Sequence, residues 1–150
     1  MKKEIVDYEK LDSKQKELYN FQLLSKILGS YGYLCTRLTA DWSDADFIAQ
    51  HYETGKIYKI QQKTRLTIAQ RYIKKDLYLA FPYKDRWFIV PHDKLLEIVA
   101  ENNNYLRTKT WQQTGEYSID GPSEKLINKL SDYERSEITL PFLTGKRKAK

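Results

Sequence analysis

Apolar residues near the start of the chain recur at three- and four-residue steps. Leu18, Phe21, Leu24, Ile27, Leu28 and Tyr31 fall on one stripe, which predicts a helix packed on one face. Ser13 is the expected N-cap, with the helix beginning at Lys14, and Gly29 and Gly32 are expected to end it. Glu17 shares the stripe with Phe21, Leu24 and Leu28 near the helix start, where the dipole favours a carboxylate. Residues 33–38, YLCTRL, then read as a short β-run, followed by an Asp- and Ser-rich loop over 39–45. Two strands joined by a Glu-Thr-Gly turn come next, one over 46–52 and the other from Lys56 onward.

Further along, residues 77–81 read as a buried strand, 82–86 as a turn and 87–90 as its hairpin partner. Pro91-His92-Asp93 opens a helix through Ala100, with Asp93 as its expected cap, and the Asn102-Asn103-Asn104 triplet breaks it. Residues 105–119 mix β-formers, cations and amides without a clear period and read as extended or hairpin structure. Gly121-Pro122-Ser123 caps a last helix over 124–133, whose core face is Leu126, Ile127 and Leu130. Strands grouped between helices predict one mixed α/β domain over 1–150, a central mixed β-sheet flanked by helices, with a basic tail at about 144–150.

On strand spacing, alternate residues share a face. Asp46, at the head of one strand, can lie beside Gln61 and Lys63, which share a face of the next. Asp44 has the same parity as Asp46 and competes with it. Hard cations such as Mg²⁺ or Mn²⁺ take oxygen ligands, often one or two carboxylates plus substrate phosphate and water. Asp46, the Gln61 side-chain oxygen and a backbone carbonyl near Gln62 make such a set. Lys63 would place an ammonium beside an attacking water or the phosphorus. Glu17 would assist from the first helix, with Glu9 and Asn20 as alternatives. Read blandly, Asp46 and Lys63 are an ordinary cross-strand surface pair.

Charge supports a polyanionic partner. The formal net charge is +6, and six basic residues with no acidic one lie between Ile57 and Lys75. Lys59, Arg65, Arg71, Lys74 and Lys75 suit phosphate contact, and Arg107, Lys109, Gln112 and Gln113, alongside Arg71, are candidates for reading bases. The plain alternative for these cations is a solvated face. Cys35 is the single cysteine, which excludes an internal disulfide and a zinc cluster. With only His51 and His92, a multi-histidine metal site is not expected. The opening MKKEIVDYEK lacks the apolar run of a secretory leader, and no stretch has membrane-spanning length, so a cytoplasmic location is expected.

A helix carrying Glu17, then YLCTRL, then ADFIA with Asp46, then IQQK with Gln61 and Lys63, resembles the PD-(D/E)xK nuclease superfamily. Length, basicity and the N-terminal run are similar to its bacterial, group I intron-encoded homing endonucleases. The resemblance implies a restriction-endonuclease-like core and a site made of Glu17, Asp46, Gln61 and Lys63. It implies Mg²⁺-dependent cleavage of double-stranded DNA to 5′-phosphate and 3′-hydroxyl ends, initiating intron mobility. A homo-oligomer, dimer or tetramer, is implied as well. Residues 126–130 and the apolar run 138–143 are the expected contact surface. Two positions depart from the pattern: Ala45 stands where the motif has Pro, and Gln61 where it has Asp or Glu. A non-catalytic DNA-binding protein with a nuclease-like fold is the alternative that Gln61 favours, and an adaptor for acidic proteins is a third reading from charge alone.

Overall fold

The computed structural model describes residues 1–135 other than residue 43. The run 138–143 and the basic tail, both singled out above, lie outside the described residues. Helix α1 (Ser13–Ser30) is followed by strands β1 (Tyr33–Trp42), β2 (Ala45–His51), β3 (Ile57–Gln62), β4 (Leu66–Ala69), β5 (Leu77–Tyr83) and β6 (Arg86–Pro91). Helix α2 (His92–Asn102), helix α3 (Lys109–Thr114), strand β7 (Glu116–Ile119), helix α4 (Glu124–Lys129) and the short strand β8 (Glu134–Arg135) complete the order. The main sheet runs β1-β2-β3-β5-β6-β8, and β4 leaves it to pair with β7. Pairing is antiparallel except between β3 and β5, so the sheet is mixed. This architecture resembles the restriction-endonuclease-like core expected above.

Two apolar layers hold the sheet. On one face Leu24, Ile27 and Leu28 of α1 pack against Phe47, Ala49, Ile60, Ala80, Trp87 and Ile89. On the other, Leu79, Phe81, Phe88 and Val90 meet α2, α4 and the β4–β7 pair. Leu38 of β1 and Ala45 of β2 join this second layer, whereas Leu34 of β1 and Ile57 of β3, at the far end of those strands, stay exposed.

Several local expectations are corrected. Asp12, not Ser13, caps α1: its Oδ1 accepts the Gln15 N–H at 2.8 Å while Gln15 Oε1 accepts the Asp12 N–H at 3.0 Å. Strand β1 continues through the expected 39–45 loop as far as Trp42. The 105–119 stretch is no hairpin. It makes a 3₁₀ turn (Tyr105–Arg107), α3 and β7, because buried Tyr105 and Trp111 stack edge to face at 4.8 Å and fold the segment onto the core. Pro91, not Asp93, precedes α2, and Asp93 instead accepts the Lys74 N–H at 3.1 Å. The last helix ends at Lys129, with a 3₁₀ turn at Ser131–Tyr133. Leu126, Ile127 and Leu130 are buried in the core of the single chain, so the 126–130 segment is no apolar contact surface.

Candidate active site

Strand register decides what meets what. Phe47 pairs with Ile60 across β2 and β3, and both bury toward α1. One step along, Asp46 comes level with Gln61, and both belong to the opposite face. Asp46 is fixed by its neighbour strand: its Oδ2 accepts the Gln62 backbone N–H at 2.8 Å. Lys63 follows directly on β3, its backbone N–H donating to the Ala80 carbonyl at 2.8 Å. Its ammonium reaches Glu116 Oε1 at 3.9 Å and lies 5.7 Å from the centre of the Tyr72 ring.

Gln62, of opposite parity, turns toward α1 and donates from Nε2 to the Glu17 backbone carbonyl at 2.9 Å. Glu17 and Asp46 line one open depression of about 370 Å³ with Arg37, Leu38 and Thr39. The Glu17 carboxylate is engaged there by Arg37, whose Nη2 donates to Oε1 at 3.2 Å. The alternatives to Glu17 are placed elsewhere. Glu9 pairs with Lys16 at 3.6 Å. Asn20 is buried and donates to the Tyr8 hydroxyl at 2.9 Å. Asp44 does not share the strand with Asp46: it sits in the turn before β2 at φ +64° and faces Arg71 Nε at 4.0 Å.

Among the described residues, no three His, Cys, Asp or Glu side chains form a group that could hold a metal ion. The β2–β3 register sets one carboxylate, Asp46, level with one carboxamide, Gln61. Hard oxygen donors of this kind fit Mg²⁺, which keeps several waters and takes substrate phosphate as a further ligand.

The cations form a looser arrangement. Arg71 bonds the Tyr72 hydroxyl at 2.8 Å and Glu116 Oε2 at 3.3 Å. The bond to Tyr72, with Glu116 and Asp44 adding to it, holds the Arg71 guanidinium further toward its charged form, against partial desolvation. Arg65 pairs with Asp120. Both arginines line a polar groove of about 570 Å³ with Thr110, Thr114 and Ser118, between the β4–β7 pair and α3. The Lys59 ammonium donates to the Lys75 carbonyl at 2.6 Å, so it is tied to its own chain. Lys74, Lys75, Arg107, Lys109 and Gln113 are exposed, and Gln112 Nε2 donates to the Leu106 carbonyl at 3.2 Å.

Reasoning from sequence passed over Arg37, Tyr72 and Glu116. Arg37 is the one charged residue of the β-run YLCTRL, and of the three it alone has a readable signal. Glu116 and Tyr72 reach the site only through the β4–β7 pairing, which no local period announces.

No family model and no curated protein matches the chain. Among solved structures it is similar to Hjc of Archaeoglobus fulgidus, a Holliday junction resolvase from an archaeal hyperthermophile. The identity is 16% over 91% of this chain and 100% of that chain, with a TM-score of 0.48.

Proposed function

We propose that this protein is a metal-dependent, site-specific DNA endonuclease of the homing type, cutting phosphodiesters to 5′-phosphate and 3′-hydroxyl ends. The observation that carries this reading is the β2–β3 register, which sets Asp46 level with Gln61, two residues before Lys63. Asp46 and Gln61 would hold Mg²⁺ or Mn²⁺ together with a strand carbonyl. The ion, when bound, supplies Lewis acidity at the scissile phosphate. Lys63 would orient the attacking water and offset the charge that grows on the phosphate. Glu17 would complete the rim of the site once Arg37 turns toward a backbone phosphate.

The exposed cations and the groove holding Arg65 and Arg71 support duplex contact, with affinity that falls steeply with salt. One such site cuts one strand, so a double-strand break requires a homodimer or a larger homo-oligomer.

The test is incubation of the purified chain with plasmid and intron-insertion-site DNA, in Mg²⁺ and in EDTA. Cuts that need the ion and vanish in Lys63→Ala support the enzyme. Salt-sensitive binding without any cut supports the second reading, a non-catalytic DNA-binding protein. Gln61 in the acidic position of the motif favours that reading.

A further inference from the structure

Glu116 stands between two cations. Its backbone is fixed: Glu116 pairs with Ala69 in the β4–β7 ladder, and the preceding Gly115, at φ +67°, gives its carbonyl to the Gln70 N–H at 2.7 Å. From there the carboxylate spans a gap. Oε1 lies 3.9 Å from Lys63 Nζ and Oε2 lies 3.3 Å from Arg71 Nη1. Both cations rest over the same aromatic ring, with Lys63 Nζ at 5.7 Å and Arg71 Cζ at 4.7 Å from the Tyr72 centroid. Carboxylate and phosphodiester each carry one negative charge on two outer oxygens, and a guanidinium fork accepts either.

We propose that Glu116 is an internal stand-in for phosphate, occupying an anion site built by Lys63 and Arg71 over Tyr72. An incoming phosphate group displaces it. That the phosphate comes from duplex DNA rests on the function proposed above; the anion site itself does not. The contact is built to yield, since the Glu116 and Arg71 side chains are 35% and 55% exposed and such pairs contribute little. A polyanion adds counterion release that a lone carboxylate lacks. The polar groove beside Arg71 gives a phosphate its way in. Glu116 thereby lowers affinity for any duplex alike and leaves discrimination to the contacts that read bases.

Glu116→Gln keeps the size and removes the charge, while Glu116→Asp keeps the charge. Equilibrium binding of the whole chain to a random-sequence duplex in EDTA is measured across salt concentrations, and inorganic phosphate is titrated against the amide and side-chain NMR signals of Lys63, Arg71 and Tyr72. Glu116→Gln should bind the duplex roughly two- to five-fold more tightly at low salt, with a salt slope steeper by about one. Glu116→Asp should track the wild type, and adding Arg71→Ala to Glu116→Gln should erase the gain. Tighter duplex binding identifies nucleic acid as the source of the phosphate. Phosphate-induced shifts in Glu116→Gln without duplex binding keep the anion site and identify free phosphate instead. If Glu116→Gln gains neither, the proposal is overturned, while the nuclease reading is still judged separately by Mg²⁺-dependent cleavage in the wild type.

Discussion

Asp46 and Gln62 are joined across two strands by a hydrogen bond, the Gln62 backbone N–H donating to Asp46 Oδ2 at 2.8 Å. The bond aims the carboxylate without neutralising it. Asp46→Asn retains an oxygen to accept that N–H and loses the charge. Melting temperature should stay close to that of the wild type, and Mg²⁺-dependent nicking should fall by about 100-fold or more. Full nicking by Asp46→Asn in a time-course on supercoiled plasmid would remove Asp46 from the site.

Gln61 gives the position beside Asp46 a neutral oxygen where a carboxylate is the stronger ligand for a hard cation. Gln61→Glu should lower the Mg²⁺ concentration needed for half-maximal cleavage. Isothermal titration with Mn²⁺ in the absence of DNA gives a readout independent of activity. An unchanged ion requirement in both assays would place Gln61 outside the ligand set.

Leu24 is fully buried where α1 meets the sheet, packed with Phe47 and Ile60. The same helix carries Glu17 to the rim of the depression. Leu24→Ala leaves a cavity and should cost about 2–5 kcal/mol, read from urea unfolding. A loss well under that range would mean that the helix relaxes onto the sheet.

His92 is buried, and its Nε2 accepts the Ala69 N–H at 3.2 Å, which requires that nitrogen to be unprotonated. Burial lowers its pKa from the ordinary 6.5, against the opposing effect of the hydrogen bond that Nδ1–H donates to Asp93. Between that lowered value and 6.5 the unfolded chain binds more protons than the folded one, so stability falls as pH drops through this window. Above 6.5 the contribution is fully present, and below the folded value the loss levels off. Urea midpoints across this range should show the decline, and His92→Leu should flatten it.

Much of the main sheet was readable because its signals are local. The stripe from Phe21 to Leu28 marks α1, and the Glu-Thr-Gly turn between alternating strands marks β2 and β3. Parity sets Gln61 and Gln62 on opposite faces of β3. What escaped depends on contacts between distant parts of the chain. Leu66–Ala69 is buried at every position, so no alternation identified it as a strand, and its partner β7 lies some fifty residues on. Glu116 comes to Lys63 only through that pairing. Leu126, Ile127 and Leu130 were read both as a helix core face and as a contact surface; α2 and the sheet bury them within one chain. Asp44 and Asp46 matched in parity, but parity holds only within a strand, and Asp44 lies in the preceding turn.

Strands β3 and β5 lie side by side and point the same way, so the chain between them has to travel back along the whole sheet before it can pair again. That return path carries Lys63, β4 and Arg71, and its length is imposed by geometry. Trimming it would unseat β5 before it touched any chemistry. Extra sequence is better accommodated at the tip between β2 and β3, where Tyr52, Glu53, Thr54 and Gly55 are exposed. A label spliced there would ride on the molecule as a passenger, whereas the same splice in the return path would disturb the β4–β7 pairing that sets Glu116 beside Lys63.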